Sequence, residues 1–310
     1  MIDRQISVII PCHNAVDTIT VQLDAVAAQL PVDAEIVVVD DASNDDTADA
    51  VRRWGEGHDS TQLHIMSRAR RGGPNASRNE GVRRSSGTTL LFCDGDDIVA
   101  DGWLRALAAA AADRTIAGGV YAPFSGDQPD ASEVTSNTEW AGATTAHGWP
   151  YALGGCLGVR RDTLIDVGGF DEAITSGGTE VELAIRAQVS HEVNVATVPD
   201  AVVHYRIPPP VSTCAWLQRE FRKERGRAYL RAKFGAEVIP DRSLRHLLAL
   251  WATLPGSAVA AVRRRDDRWK FARTVGKAVG WVFWTPIVTI GVALGAASFS
   301  ERLLANPTSS

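Results

Sequence analysis

The stretch that most constrains the fold covers residues 90–97 and has the sequence LLFCDGDD. Four apolar residues without polar alternation predict a strand that is buried on both faces, as in a parallel sheet between two helical layers. Asp94 and Asp96 follow the strand, and Gly95 between them allows a sharp turn, so that both carboxylates face one divalent cation. An acidic turn before a helix at 102–112, capped by Asp101, is the alternative interpretation. The stretch alone favours neither.

The first 120 residues alternate apolar runs with helical patterns. Strands are predicted at 6–10, 35–39, 63–66 and 88–93, and helices at about 16–28, 47–54 and 75–84. This alternation predicts right-handed crossovers and a parallel sheet, in which ligands bind outside the carboxyl ends of the strands. The second strand also ends in acids, Asp40 and Asp41. Two strands are therefore predicted to bring carboxylates to the same edge.

Several functional classes are disfavoured by what the sequence lacks. No GxGxxG or GxxxxGK sequence follows the first strand, which argues against a dehydrogenase and a P-loop enzyme. A nucleoside diphosphate held by a divalent cation suits the sheet and the acids that remain. The formal net charge of −5, with no basic patch interleaved with aromatics in the first two thirds, argues against nucleic-acid binding. The cysteines fit no metal spacing and the N-terminus no signal-peptide pattern, so we expect a cytosolic chain with reduced thiols.

Four segments carry recognisable motifs in a fixed order. They are SVIIPCHN at 7–14, VVDDASNDDT at 38–47, GGPNASRNEG at 72–81 and FCDGDD at 92–97. Together they closely resemble the inverting family 2 glycosyltransferases of GT-A fold. The resemblance covers about residues 4–206. It implies an α/β GT-A-type nucleotide-binding sheet flanked by helices, with nucleotide-sugar binding in 1–120 and the acceptor side in 121–206.

The resemblance also implies roles for individual residues on the donor side. The nucleotide-binding residues would be Pro11, His13, Asn14, Asp41, Arg78 and Asp94. Asp94 and Asp96, with His204 as a later ligand, would hold Mg²⁺ or Mn²⁺. Simpler interpretations remain open, since Asp41 suits a helix cap, Arg78 a solvated helical charge and His204 a structural residue.

The acceptor side is predicted from the second half of the chain. Gly155 and Cys156 belong to a Gly-rich segment, 151–160, that is small enough to bring backbone close to a sugar. The GGFD sequence at 168–171 resembles the usual turn of the family, and a helix opens after 177–178. There the family carries Glu-Asp or Asp-Asp, the second acid being the general base, whereas this chain has Thr179 and Glu180.

By alignment Glu180 takes the position of the base. Its side chain is one methylene longer than that of Asp, a displacement of about 1 Å that alters the geometry toward an acceptor. Glu182 is the alternative base, and two helix N-terminal acids that favour the helix dipole are the third interpretation.

The last hundred residues, 207–310, are predicted to be a helical extension associated with the membrane. Residues 278–299 contain no charged side chain, and 22 apolar or small residues are enough to cross a bilayer, although Pro286 interrupts them. The basic residues before this segment predict the cytoplasmic face of the membrane. A buried or amphipathic helix is the alternative.

The resemblance implies transfer of one sugar from a nucleotide-sugar donor, with UDP as the expected nucleotide, to a lipid-linked or cell-envelope glycan. The Gln-x-x-Arg-Trp sequence of polymer synthases is absent, which favours a single transfer. Two alternatives remain open. One is a sugar-nucleotide-binding or membrane scaffold protein. The other is a nucleotidyltransferase, which would need a Gly-rich basic loop after the first strand.

Overall fold

The computed structural model describes residues 6–124, 126, 145, 148–175, 177–207, 226 and 229–235. The elements below belong to one compact unit, Met1–Pro210. The predicted membrane segment, 278–299, lies outside the described residues. Within the described ranges, no helix combines the length and the apolar character needed to cross a membrane.

Eight strands form one sheet in the described part of the chain. They are β1 Ile6–Cys12, β2 Glu35–Asp40, β3 Gln62–Ser67, β4 Thr89–Cys93, β5 Ile98–Val99, β6 Thr115–Phe124, β7 Cys156–Arg160 and β8 Asn194–Arg206. Their order across the sheet is β3-β2-β1-β4-β7-β6-β8-β5. The helices are α1 Ile19–Ala27, α2 Thr47–Glu56, α3 Pro74–Arg84, α4 Trp103–Ala110, α5 Arg161–Asp166 and α6 Thr179–His191.

The first four strands are parallel, as the alternating pattern predicts. Every residue of β1, β2 and β4 is buried, because helices cover both faces of this half of the sheet. The apolar runs therefore end at one edge, where the loops after β1, β2 and β4 meet. This edge carries the candidate site.

The second half of the sheet differs from the prediction. β7 runs antiparallel to both β4 and β6, and β5 runs antiparallel to β8, so the sheet is mixed. The Gly-rich segment 151–160, which was predicted to bring backbone close to a sugar, contains β7. Gly158 in this strand allows close packing: a Cβ there would lie 3.1 Å from Leu91 Cδ2 and 3.2 Å from the Leu107 carbonyl oxygen.

Helix α4 begins one residue later than predicted and without the predicted cap. Its N-cap is Gly102, whose φ of 82° lies in the left-handed region, and the Leu104 amide in the first turn donates to Gln29 Oε1 at 3.3 Å. Asp101 is exposed instead. The left-handed glycine makes the turn into the helix, and Gln29 takes the place of Asp101 as the acceptor for a first-turn amide.

Candidate active site

The loops after β1 and β2 form one wall of the site. The Asn14 amide N–H donates to Ser43 Oγ at 2.8 Å, and the Asn44 amide donates to Asn14 Oδ1 at 3.0 Å. His13 Nδ1 lies 3.0 Å from the Asp41 carbonyl oxygen. The structure thus brings the predicted nucleotide-binding residues Pro11, His13, Asn14 and Asp41 to one edge of the sheet.

Asp41 holds the loop that leads into α3. Its carboxylate accepts hydrogen bonds from the amides of Gly72 at 2.9 Å and Gly73 at 2.7 Å, and Arg68 Nε lies 3.1 Å away. The side chain is buried and does not cap α2, so the capping interpretation is wrong. Contact with a ligand would use the lone pairs that these donors leave free.

Arg78 of α3 orients Asp94. Arg78 Nη2 donates to Asp94 Oδ1 at 2.8 Å, and the arginine side chain is only 4% exposed. It is therefore not a solvated helical charge. Arg78 Nε is buried and has no hydrogen-bond partner among the described residues. This N–H group is therefore enclosed by the protein, and the function of Arg78 that the structure shows is its bond to Asp94.

Three carboxylates crowd the turn after β4. The Asp96 side chain is exposed, but the protein around it removes part of its hydration and Asp94 places a like charge nearby. Together these two effects raise the pKa of Asp96 to about 6. Asp97 is buried and accepts a hydrogen bond from the Arg206 amide at 3.0 Å, and burial with the charges of Asp96 and Asp94 raises its pKa. The predictions gave Asp97 no role, whereas here it ties the turn to β8.

The predicted metal set is only partly assembled. No group of three His, Cys, Asp or Glu side chains in the described part of the chain is placed to hold an ion. His204 pairs with Ile98 across the strands and packs edge-on against Phe124, and burial lowers its pKa. Asp94 and Asp96 nevertheless fit a divalent cation, because their mutual repulsion would be relieved by it. Mg²⁺ characteristically takes one or two carboxylates and completes its shell with phosphate oxygens and water.

Gly155 lies between Asp94 and a tyrosine that the predictions missed. Its amide donates to Tyr121 Oη at 3.1 Å, and a Cβ at position 155 would lie 2.6 Å from both Asp94 Oδ2 and Tyr121 Oη. Burial, followed by nearby negative charges that include Asp94 and Glu180, raises the pKa of Tyr121. Tyr121 lies on β6, and no strand was predicted over the glycine-containing sequence TIAGGVYAPF.

Cys156 does not line the acceptor side. It is the first residue of β7, its side chain is fully buried, and Trp103 Nε1 donates to its Sγ at 3.2 Å. Burial raises the pKa of the thiol to about 12. The prediction for Cys156 is therefore corrected: the thiol belongs to the core beneath the site.

The two candidate bases at the start of α6 have different surroundings. Glu180 is half-buried, the Thr179 hydroxyl donates to its carboxylate, and burial together with the Glu180 charge raises the pKa of Tyr151. Glu182 is fully buried and accepts from Arg186 Nε at 2.7 Å and Nη2 at 2.8 Å. Glu182 is therefore not on the acceptor side, which leaves Glu180 as the candidate base.

The fold of this sheet is similar to that of solved glycosyltransferase structures. The mannosyltransferase PcManGT from Pyrobaculum calidifontis, solved with GDP-Man and Mn²⁺, matches this structure with a TM-score of 0.61 at 23% identity. The match covers 95% of this chain and 86% of that chain. At this identity the likeness shows the fold alone, which is the GT-A fold of glycosyltransferases.

The family follows from the sequence. The family model of glycosyl transferase family 2 matches residues 7–168, just over half of the chain, and the chain therefore belongs to that family. The glycosyltransferase AglE of Haloferax volcanii is 31% identical over 179 residues, which cover 56% of this chain and 58% of AglE. The GalNAc(5)-diNAcBac-PP-undecaprenol beta-1,3-glucosyltransferase of Campylobacter jejuni is 31% identical over 103 residues, 33% of each chain. The chain thus spans less than two thirds of either relative.

Proposed function

We propose that this chain is an inverting glycosyltransferase that moves one sugar from a nucleotide-sugar donor to a lipid-linked or cell-envelope glycan. The observation that carries the proposal is the position of Asp94, which accepts a 2.8 Å hydrogen bond from Arg78 and lies against Gly155, whose amide donates to Tyr121 Oη at 3.1 Å. The charges of Asp94 and, more weakly, of Glu180 both raise the pKa of Tyr121. One carboxylate comes from the edge where nucleotides bind in such sheets, and the other from α6. A donor and an acceptor therefore have one place to meet.

The donor half of the mechanism uses residues of the first four strands. The nucleoside would lie against Pro11, His13 and Asn14, and Arg78 would lie beside the nucleotide through its bond to Asp94. A divalent cation, Mg²⁺ or Mn²⁺, held by Asp94 and Asp96 would neutralise the diphosphate as it leaves. Arg78 keeps Asp94 oriented throughout.

The acceptor half uses Glu180 as the general base. Its carboxylate takes the proton from the acceptor hydroxyl as that oxygen attacks the anomeric carbon from the side opposite the diphosphate, and the configuration at that carbon is inverted. The Thr179 hydroxyl holds one Glu180 oxygen, and the other oxygen is left for the proton. Because Glu180 is half-buried, an acceptor reaches it from solvent.

The names of similar proteins support the substrate classes. The Campylobacter enzyme is named for a lipid diphosphate-linked acceptor, and PcManGT was solved with GDP-Man. We keep UDP as the first nucleotide to test, with GDP as the second. A lipid-linked acceptor would place the protein at the cytoplasmic face of the cell membrane.

Calorimetric titration of the full chain with UDP-glucose, UDP-GlcNAc and GDP-mannose, with and without Mn²⁺ or Mg²⁺, tests the proposal. We expect one sugar nucleotide to bind only with metal. Asp96→Asn should abolish that binding, whereas Glu180→Gln should retain it and lose the slow release of nucleotide with water as acceptor. The matched controls are Asp101→Asn, an exposed acid beyond the same turn, and Glu192→Gln, at the opposite end of α6.

Each outcome separates one part of the proposal. Binding that ignores both the metal and Asp96 would show that the carboxylate turn is not the donor site. Binding without turnover, in wild type and Glu180→Gln alike, would favour a sugar-nucleotide-binding scaffold.

A further inference from the structure

The turn at residues 167–171, between α5 and α6, is held by helix α3 through side chains rather than backbone. Asn79 Nδ2 donates to the Phe170 carbonyl oxygen at 2.8 Å, and the Phe170 amide donates to Asn79 Oδ1 at 3.0 Å. Asn75 Nδ2 donates to the Asp171 carbonyl oxygen, also at 2.8 Å. One amide side chain thus pairs with both polar groups of one peptide residue, as a neighbouring strand would.

Helix α6 binds the other side of the same turn. Arg186 Nη1 donates to the Val167 carbonyl oxygen, and its Nη2 donates to the Gly169 carbonyl oxygen at 2.7 Å. The guanidinium is fixed by the buried carboxylate of Glu182. Gly168 and Gly169 have φ values of 85° and 71°, which lets successive carbonyls of the turn face α3 and α6.

The face of helix α3 that binds the turn at 167–171 also contacts Asp94. Asn75, Arg78 and Asn79 are three and four residues apart and are therefore neighbours on the helix surface. Arg78 bonds to Asp94, and its Cζ lies 5.7 Å from the centre of the Phe170 ring. Phe170 thus contacts the arginine with its ring and the asparagine with its backbone.

We propose that the turn at 167–171 couples the donor edge to α6, and that Asn79 is the positioning residue that sets Glu180 relative to Asp94. The path runs from Asp94 through Arg78 to α3, through Asn79 to Phe170, and through Arg186 to α6. Asn79 touches no reacting atom in this scheme and acts through Glu180. The inference rests on the proposed function, because it assumes that Glu180 is the base.

The expected effect follows from the bonds that Asn79 makes. Asn79→Ala removes both bonds to Phe170 and a third bond, from Asn79 Nδ2 to Glu172 Oε1 at 2.8 Å. It leaves the Arg78–Asp94 pair intact, so affinity for a donor should stay within about threefold of wild type. A shift of about 1 Å in the base costs on the order of 100-fold in rate, and we expect turnover to fall about 10- to 100-fold.

A double-mutant cycle tests whether Asn79 acts through Glu180. Release of UDP from UDP-glucose and of GDP from GDP-mannose, with Mn²⁺ and water as acceptor, is measured for wild type, Asn79→Ala, Glu180→Gln and the double variant. If Asn79 only positions the base, Asn79→Ala costs nothing further in the Glu180→Gln background. Losses that multiply, or donor affinity that falls in step with turnover, would overturn the inference.

The control is Glu80→Gln, the next residue of α3, whose carboxylate bonds to Arg83 and Arg84 on the outer face of the helix. We expect it to leave turnover unchanged. Asn75→Ala, which removes a single bond to the turn, is the milder second variant and should lose less turnover than Asn79→Ala.

Hydrogen exchange tests the coupling between the turn at 167–171 and α6 without any substrate. In Asn79→Ala, amides across 168–183 should exchange at least tenfold faster, while those of β1 and β2 keep their wild-type rates. Unchanged exchange at the start of α6 would refute the coupling even if Glu180 is the base. The coupling would also be refuted if Glu180→Gln loses turnover while Asn79→Ala keeps it. Full turnover in Glu180→Gln would instead refute the assignment of Glu180 as the base.

Discussion

Replacing Glu35 by Gln should destabilise the protein in a way that depends on pH. Glu35 begins β2 at the edge of the sheet opposite the site, and its side chain is buried. Its Oε1 accepts from Ser7 Oγ at 2.7 Å, Ser86 N at 2.6 Å and Ser86 Oγ at 2.8 Å. Its Oε2 lies 3.3 Å from His64 Nε2. The carboxylate therefore joins β1, β2, β3 and the loop before β4.

The sign of the pH dependence follows from these contacts. Burial by itself would raise the pKa of Glu35, but the hydrogen bonds from Ser7 and Ser86 and the charge of His64 outweigh it and lower the pKa. A carboxylate with a lowered folded-state pKa stabilises the fold above its unfolded-state pKa. That stabilisation is lost as the pH falls through the folded-state pKa.

The magnitude follows from the kind of hydrogen bond. Bonds to a charged group contribute roughly 1.5–3 kcal/mol each and neutral ones about 1 kcal/mol, and a Gln oxygen can still accept some of them. We expect Glu35→Gln to lower the free energy of unfolding by about 1–3 kcal/mol at pH 7. Because protonation removes the same charge from the wild type, the difference between the two proteins should shrink toward pH 3.

Urea unfolding followed by circular dichroism, at pH 7 and at the lowest pH where both proteins remain folded, measures the difference. Glu56→Gln, an exposed change at the end of α2, is the matched control and should alter stability by less than about 0.5 kcal/mol. An equal loss for Glu35→Gln at both pH values would refute the reasoning, because the bonds would then not depend on the charge.

Three other substitutions follow from close contacts. Gly155→Ala places a methyl group 2.6 Å from Asp94 Oδ2 and Tyr121 Oη, and calorimetry should show donor affinity reduced by about tenfold or more. The control Gly57→Ala, whose new Cβ has its nearest atom at 3.6 Å, should have no effect on that affinity. Gly81→Ala places Cβ 2.4 Å from Ile9 Cγ2 and should cost about 1–3 kcal/mol in urea unfolding; wild-type stability would contradict the packing. Arg78→Lys keeps the charge but loses the planar guanidinium beside Asp94, so donor affinity should fall about tenfold, and an unchanged affinity would show that the guanidinium is not needed.

The sequence predicted the first half of the sheet well, because buried parallel strands are continuous apolar runs. β1, β2 and β4 are such runs, and each is followed by a helix or a turn with polar residues. Strands β6 and β7 of the second half were missed because they contain glycines that resemble loop residues. At Gly119 in β6, a Cβ would lie 2.2 Å from both the Ala201 carbonyl oxygen and Cys156 Sγ, so glycine there reflects close packing rather than flexibility.

The candidate site shows the same limit at the level of single side chains. Gly155 and Cys156 were both predicted to lie on the acceptor side, because they are adjacent in one Gly-rich segment. In the structure Gly155 lies beside Asp94, whereas the Cys156 side chain is buried in the core. Glu180 and Glu182 were likewise both candidate bases, and only the buried pair with Arg186 separates them. The direction in which each of two adjacent side chains points depends on the elements that pack against them, and a sequence motif does not specify those elements.

The pair Thr179 and Glu180 departs from the acidic pair that the resemblance to family 2 glycosyltransferases implies, and it keeps one carboxylate at the start of α6. Two acids side by side at the start of α6 would repel each other and the diphosphate of a donor, whereas the Thr179 hydroxyl donates to Glu180 and adds no charge. A hydrogen bond from the neighbouring residue also restricts the longer Glu side chain, which has one more rotatable bond than Asp. Threonine at 179 therefore suits glutamate at 180, and under the proposed function the two departures from the family pattern compensate each other.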